Sequence, residues 1–209
     1  MSAINTSHSR IYLASQSPRR RELLKQIGVN FDPLLLRNDA RREVRVDETP
    51  HEGELPADYV QRICREKAEA GWEALLLRKL RPYPVLSADT TVTVNGKIIG
   101  KPDNNDHALQ ILGELSGTRH QVLTAVAVAY KNRLEMRLST TTITFAELSE
   151  ARIRRYLLNG EAHDKAGAYG IQGAAGAFVK HIDGSYTGVM GLPLFETVEL
   201  LQSFGVSTS

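Results

Sequence analysis

Hydrophobic and polar positions follow two spacings along the chain, one typical of strands and the other typical of helices. Apolar runs predict strands at residues 10–14, 85–94, 121–130, 134–145 and 178–182. Apolar residues three and four positions apart predict helices at residues 18–27, 56–80, 106–115, 150–158 and 194–204. We expect the strands at 121–130 and 134–145 to pair antiparallel. Strands that alternate with helices are typical of an α/β fold.

Turn-forming residues separate these elements. Asn95 and Gly96 lie between two apolar runs, and this dipeptide is a strong signal for a two-residue β-hairpin. The stretch 38–55 is polar and charged and carries proline and glycine, so we expect a long surface loop there. We also expect a loop at 183–193, before the last helix.

The composition is that of a folded globular protein. Of the 209 residues, 42% are hydrophobic and 24% are charged, which is far from a disordered or membrane composition. A chain of this length makes one large domain or two lobes, and we expect a single domain over 1–209 with an ordered core at about 10–205. The formal charge of +2 is too small to favour nucleic-acid binding by overall charge.

Several kinds of site are disfavoured. The single cysteine, Cys64, excludes an intramolecular disulfide and a zinc site made of several thiolates. The six histidines show neither HxxxH nor HExxH spacing, which argues against a histidine zinc site. The first ten residues lack the apolar stretch of a secretory signal, and no segment has the length of a membrane span. We therefore expect a cytoplasmic protein with no membrane partner.

The segment 13–21, LASQSPRRR, places three consecutive arginines at the start of a predicted helix. A helix N-terminus carries the positive end of the helix dipole and several unpaired N–H groups, so cations there are disfavoured unless an anion shares the site. Ser17 suits the N-cap and Pro18 suits the first helical position. Hydroxyls, amides and guanidinium groups would then converge on a phosphate.

Two charged residues lie where apolar residues are expected. Asp89 lies in a predicted strand, where aspartate is depleted, and it either serves a metal or a water or is only hydrogen-bonded to local amides. Lys67 falls on the apolar stripe of the predicted helix 56–80, and it either extends to solvent or turns inward to an anion. The residues alone leave both pairs of alternatives open.

A segment rich in glycine and alanine, KAGAYGIQGAAGAF, follows the helix predicted at 150–158. Its glycines fall at every third residue from Gly167 to Gly176, but they match neither a Walker A loop nor a GxGxxG fingerprint. Taken alone, the segment is typical of a flexible turn with positive φ angles. Lys165 and Gln172 change this interpretation, because they add a cation and an amide that can read the edge of a base.

In their order along the chain, these motifs resemble the Maf family of nucleoside triphosphate pyrophosphatases. The resemblance runs from about Ile11 to Gly205 and rests on LASQSPRRRELL, VDET, REKA, SADTTV, GKP, the strand beginning HQV, KAGAYGIQG and GSYTGVMGLPL. SPRR, ADT and AYGIQG resemble the branch that acts on dTTP and UTP rather than the branch that acts on 7-methyl-GTP. The resemblance implies an α/β fold with a long mixed sheet, flanking helices and two lobes that enclose a nucleotide-binding cleft.

The resemblance also implies roles for individual residues. Asp89 matches the family's general base, and the positions associated with pyrimidine selection are matched by Arg19, Thr90 and Gln172. Polar positions of the cleft are matched by Ser15, Arg20, Glu48, Lys67, Lys101 and Lys165. Of these, we expect all but Glu48 to bind phosphate together with Ser17. The loop from Asn38 to Arg45 is longer and more basic than is typical of the family, which leaves the register of Glu48 open.

These assignments predict hydrolysis between the α- and β-phosphates of a nucleoside triphosphate, with release of a nucleoside monophosphate and pyrophosphate. We expect Asp89, with Glu48, to hold a divalent cation, Mg²⁺ or Mn²⁺, and Asp89 to orient or deprotonate the attacking water. The turn from Ser15 to Pro18 and the cations of the cleft would stabilise charge on the leaving group. The resemblance further implies a homodimer.

Other functions remain open on the sequence alone. Within the family, the alternative is a 7-methyl-GTP pyrophosphatase. A second alternative is a regulator of cell division that binds nucleotide without turnover. A third is an RNA-binding protein that uses arginines at 19–21 and 37–45 as a basic face. The five Phe, seven Tyr and one Trp of the chain offer few rings to stack on bases, which argues against nucleic acid as a partner.

Overall fold

The computed structural model describes residues 8–36 and 46–208. The long basic loop expected at Asn38–Arg45 lies outside the described residues. The described remainder of the expected surface loop, residues 46–55, contains neither helix nor strand. No helix in the described part of the chain is long and apolar enough to cross a membrane.

Within the residues described, seven strands form one mixed sheet. They are β1 (Ile11–Leu13), β2 (Phe31–Pro33), β3 (Val85–Val94), β4 (Lys97–Ile99), β5 (Arg119–Tyr130), β6 (Arg133–Phe145) and β7 (Val179–Asp183). The order across the sheet is β2-β1-β3-β5-β6-β7, and β4 pairs with β3. β1 runs parallel to β2 and β3, and the remaining neighbours are antiparallel, as expected for β5 and β6.

Helices pack on both faces of this sheet. They are α1 (Pro18–Gln26), α2 (Pro56–Leu77), α3 (Asn105–Leu115), α4 (Glu150–Leu157), α5 (Tyr186–Met190) and α6 (Leu194–Ser203). The prediction of a loop at 183–193 is wrong, because α5 lies within it, capped by the Ser185 hydroxyl that accepts from the Gly188 N–H. Five residues are too few for helical periodicity to appear in the sequence.

The hairpin predicted at Asn95 and Gly96 is confirmed. Both residues have positive φ angles, 51° and 77°, as a type I′ turn requires, and they join β3 to β4. This turn fixes the end of β3, whose observed range is the predicted one. The position of Asp89 in the interior of β3 follows from it.

The segment rich in glycine and alanine forms two short 3-10 helices, Ala166–Ala168 and Ala174–Phe178. Of its glycines, Gly167 alone has a positive φ, 72°, so the expected glycine turn with positive φ angles is wrong for the others. Gly173 serves another purpose, because a Cβ atom there would overlap the carboxylate of Glu161. Gly173 therefore leaves room for the Glu161 carboxylate.

The apolar core has two main parts that meet along β3. Leu86 and Ala88 pack with α1 and α6, whereas Val92 and Val94 pack with α3 and α4. On the opposite face of the sheet, α2 packs on β5. Residues 89–91 lie between the two parts, so the boundary between these parts of the core falls in the middle of β3.

Candidate active site

One edge of β3 is left open in its middle. β1 pairs with β3 only at Val85 and Leu86, and β4 pairs with it only from Val92 onward. Within the described ranges, no strand pairs with residues 87–91 along this edge. A cleft of about 970 Å³ opens here, which is the size of a small-molecule site. It is lined by every site residue named from the sequence: Ser15, Ser17, Arg19, Arg20, Glu48, Lys67, Asp89, Thr90, Lys101, Lys165 and Gln172.

Successive residues of β3 reach the cleft from opposite faces of the sheet, because side chains alternate along a strand. Asp89 faces α2, where its Oδ1 atom accepts a hydrogen bond of 2.7 Å from Lys67 Nζ. Thr90 faces the other side, where its hydroxyl lies 2.9 Å from the Thr124 hydroxyl and 3.3 Å from Arg20 Nη2. Both faces are accessible at this point only because the strand edge is open.

Lys67 turns inward and meets two carboxylates, which settles the alternatives that the sequence left open for its direction. Its ammonium nitrogen lies 2.7 Å from Asp89 Oδ1 and 2.7 Å from Glu48 Oε1. Burial alone would lower the pKa of Lys67, but the two carboxylates outweigh it and raise the pKa. Burial would likewise raise the pKa of Glu48, but Lys67 outweighs it and lowers the pKa. Lys67 and Glu48 therefore both stay charged at neutral pH, and the Lys67 ammonium binds the two carboxylates.

The turn between β1 and α1 presents amide groups and hydroxyls to the cleft. Ser17 is the N-cap, since its hydroxyl accepts from the Arg20 N–H, and Pro18 occupies the first turn, as predicted. The Ser17 N–H donates to the Ser15 hydroxyl over 3.2 Å. This turn follows the carboxyl end of β1, the place where ligands bind in open α/β sheets.

The three consecutive arginines do not share one direction. Arg19 lines the cleft and forms an ion pair with Asp164, with 3.5 Å between the charged atoms. Arg20 also lines the cleft, and burial lowers its pKa despite the nearby Asp89 carboxylate. Arg21 is not among the lining residues, because each residue of a helix is turned about 100° from the one before. The sequence predicts that all three arginines point into one site, but only Arg19 and Arg20 line the cleft.

Lys101, Lys165 and Gln172 line the cleft from segments that follow β3 in the chain. Lys165 Nζ donates to the Glu161 carbonyl and to Asp164 Oδ1, each at 2.5 Å. Glu161 in turn accepts a hydrogen bond of 3.2 Å from the N–H of Ala174, two residues after the exposed Gln172. Glu161 and Lys165 therefore fix the segment that brings the Gln172 amide to the cleft.

Comparison with known proteins agrees with this geometry. A family model described as "Maf-like protein" matches residues 10–204. The chain belongs to the Maf family. It is 55% identical to the dTTP/UTP pyrophosphatase of Nitrosomonas europaea, with 94% of this chain and 95% of that protein covered. It is 54% identical to the dTTP/UTP pyrophosphatase of Dechloromonas aromatica, with 94% and 98% covered.

A solved structure supports the fold assignment of this Maf chain. The Ham1 protein of Staphylococcus aureus superposes with a TM-score of 0.51 at 16% identity, and the match covers 93% of this chain and 97% of that one. At such low identity the match concerns the fold alone. The α/β class and the long mixed sheet that the sequence predicts are confirmed.

The two carboxylates of this Maf site fit a hard divalent cation. Glu48 and Asp89 are both directed at one point, now held by the Lys67 ammonium. Among the described residues, no group of three or more His, Cys, Asp or Glu side chains could hold a metal ion. Mg²⁺ is commonly bound by one or two carboxylates together with substrate phosphates, and the donors here match that pattern.

The sequence does not predict three residues in or next to the cleft: Asp164 and Gly191 line it, and the buried Thr124 does not. Asp164 lies immediately before Lys165, the first residue of the motif KAGAYGIQG, so its closeness to the motif is the signal in the sequence. Gly191 accepts a hydrogen bond from Arg20 through its backbone, and Thr124 contacts Thr90 from β5. A backbone acceptor and a cross-strand threonine carry no signal in a single sequence.

Proposed function

We propose that this chain hydrolyses dTTP and UTP to the nucleoside monophosphate and pyrophosphate. The observation that carries the proposal is the placement of Asp89 between a cationic turn and a glutamine-bearing segment in one cleft. The high identity to relatives named dTTP/UTP pyrophosphatase supports it.

Asp89 is the general base in this proposal. Its carboxylate accepts from Lys67 through one oxygen, so the ammonium fixes the orientation of the carboxylate. The attacking water gives its proton to Asp89 while its oxygen bonds to the α-phosphorus. The bond from that phosphorus to the oxygen bridging the α- and β-phosphates breaks, and pyrophosphate leaves with the bridging oxygen. General bases of this kind contribute about 10²–10⁴-fold to the rate.

The turn at Ser15 and Ser17 receives the phosphates. The positive end of the α1 dipole lies at this turn and favours an anion. Lys101 and Lys165 face the same space from the second lobe. Positive charge on both sides of the leaving pyrophosphate stabilises the charge that develops in the transition state.

Gln172, Thr90 and Arg19 select the base. Uracil and thymine each present an acceptor, a donor and an acceptor along one edge, and an amide side chain can match two neighbouring groups of that edge. A site that hydrogen-bonds a base in this way rejects bases with another pattern, because buried polar groups would then stay unpaired.

Asp89 and Glu48 would hold Mg²⁺ or Mn²⁺, which when bound would offset the negative charge of the phosphates. Oxygen ligands suit both metals, so the protein's donor set does not favour one of them.

The test is pyrophosphate release from dTTP, UTP, CTP, dCTP, GTP, 7-methyl-GTP and ATP with either metal. We expect turnover of dTTP and UTP, and a loss of about 100-fold or more in Asp89→Asn. Asp106→Asn, an exposed aspartate in the first turn of α3, is the matched control and should keep wild-type rates.

Two other results are informative. A preference for 7-methyl-GTP would still support pyrophosphatase activity, but it would contradict selection of the base by Arg19, Thr90 and Gln172. Binding of nucleotides without turnover would instead favour the regulator of cell division.

A further inference from the structure

Two side chains of α2 hold the backbone on both sides of Glu48. Arg62 donates to the carbonyls of Asp47 and Thr49, over 3.3 Å and 3.1 Å. The hydroxyl of Tyr59 donates to the carbonyl of Glu48 itself over 2.9 Å. Three successive carbonyls of one loop are thus bound to one helix.

A carboxylate holds Arg62 in this geometry. Glu54 accepts from Arg62 Nε over 2.7 Å and from Nη2 over 2.8 Å, which is the paired geometry that guanidinium and carboxylate groups favour. The hydrogen bonds from Arg62 lower the pKa of Glu54 to about 2, and those from Glu54 raise the pKa of Arg62. The side chains are only 19% and 9% exposed. This arrangement differs from an ordinary surface ion pair, whose contribution is small.

The loop needs such support because residues 46–50 belong to no helix or strand. A segment without a ladder of backbone hydrogen bonds is held only by the contacts of its side chains and caps. Glu48 must nevertheless reach Lys67, which lies on α2 five positions after Arg62. One helix therefore carries both the partner of the Glu48 carboxylate and the groups that hold the Glu48 backbone.

We propose that Arg62 is a positioning residue that sets the Glu48 carboxylate in the cleft. Arg62 is not among the residues that line the cleft, so it acts through the loop rather than on the substrate. This inference rests on the proposed function, in which Glu48 helps to hold the divalent cation. Changes to groups that orient metal ligands commonly lower metal affinity or activity about 10–100-fold.

The experiment compares Arg62→Ala and Arg62→Lys with Arg65→Ala, which removes the same charge from an exposed position on the same helix. Amide hydrogen exchange is measured at residues 46–49 and across α2. We expect exchange at 46–49 to be about tenfold faster or more in Arg62→Ala, with α2 unchanged. Arg62→Lys keeps the charge but lacks the several N–H donors of the guanidinium group. Its exchange rate at 46–49 should therefore lie between those of Arg62→Ala and wild type. Arg65→Ala should match wild type.

Kinetics supplies the second readout. The Mg²⁺ concentration for half-maximal dTTP hydrolysis should rise about tenfold in Arg62→Ala, whereas kcat at saturating Mg²⁺ should change less than about threefold. Unchanged exchange at 46–49 in a folded Arg62→Ala protein would overturn the inference, and so would faster exchange with an unchanged Mg²⁺ requirement. If the proposed function is wrong, wild type will turn over no nucleotide. The hydrogen-exchange comparison would still show whether Arg62 holds the loop.

Discussion

The Arg20 guanidinium donates a hydrogen bond of 2.7 Å to the backbone carbonyl of Gly191, 171 positions further along the chain. The same group donates to the hydroxyls of Ser15 and Thr90 over 3.2 Å and 3.3 Å. One side chain thus joins the turn before α1, the middle of β3 and the turn after α5. These three contacts do not use all five N–H groups of the guanidinium, and the remaining ones can donate to a phosphate.

Arg20→Lys should destabilise the protein and weaken its activity. Lysine keeps the charge but cannot bind three acceptors in one plane, so we expect the free energy of unfolding to fall by about 1–3 kcal/mol. We also expect kcat/KM for dTTP to fall about 10-fold or more, because Thr90 loses its orientation. Urea unfolding and steady-state kinetics measure both. Lys25→Ala, an exposed change at the end of α1, should alter neither.

Gly173→Ala should act through Glu161. The added methyl group would displace the Glu161 carboxylate and break its hydrogen bond to Ala174, which follows Gln172. The end of a flexible side chain moves at low cost, so we expect stability to fall by less than about 1 kcal/mol. We expect KM for dTTP and UTP to rise severalfold at nearly constant kcat.

A double-mutant cycle checks that cause. Glu161→Ala removes the same hydrogen bond, so its effect on KM should resemble that of Gly173→Ala. The two effects should not add in the double variant, because both act on one contact. Fully additive effects would show that the two positions act independently.

His120 should make the protein less stable in acid. Its Nε2 atom lies 2.8 Å from the Tyr169 hydroxyl in the core, and burial lowers its pKa from 6.5 to about 4. The unfolded chain therefore binds a proton at His120 more readily than the folded chain does. The free energy of unfolding is thus highest above pH 6.5 and falls as the pH drops from 6.5 toward 4. Between pH 8 and pH 5 the loss should be about 2 kcal/mol.

Urea unfolding at several pH values measures the loss. His120→Gln keeps a partner for Tyr169 but has no titrating group in this range, so its stability should fall less over the same interval. An equal decline in both proteins would assign the acid sensitivity to other residues.

Gly113→Ala should stabilise the protein. Gly113 lies exposed in α3, and a Cβ atom there would meet nothing within 4 Å. Alanine restricts the unfolded chain and favours the helix, which is worth about 0.5–1 kcal/mol. Thermal or urea unfolding measures the gain, and kcat for dTTP should stay at the wild-type value. A loss of stability would mean that the end of α3 requires glycine.

The fold could be predicted where the sequence marks both ends of an element. Residues 85–94 follow a proline and precede Asn95-Gly96, and β3 has the predicted range. The pattern of α2 continues to Leu80, yet the helix ends at Leu77, because Lys79 takes a positive φ of 52°. That conformation depends on the packing of the following turn, which a single sequence does not contain.

The site could be predicted only as a set of residues. The motifs named the side chains that line the cleft, but not their partners. The sequence allows the Lys67 side chain either to extend to solvent or to turn inward, and in the structure it lies between Asp89 and Glu48. The difference between Arg20 and Arg21 depends on how α1 rotates onto the sheet. Contacts between distant segments, such as Arg20 with Gly191, arise from the whole fold.

The open edge of β3 at residues 87–91 also bears on solubility. An unpaired strand edge can add a strand from another molecule and so begin aggregation. Here the edge lies at the floor of the cleft, between the Arg20 guanidinium and the Lys67 ammonium. A foreign strand would have to displace both charges from their partners before it could pair. The charges that we assign to substrate binding therefore also protect the protein against self-association.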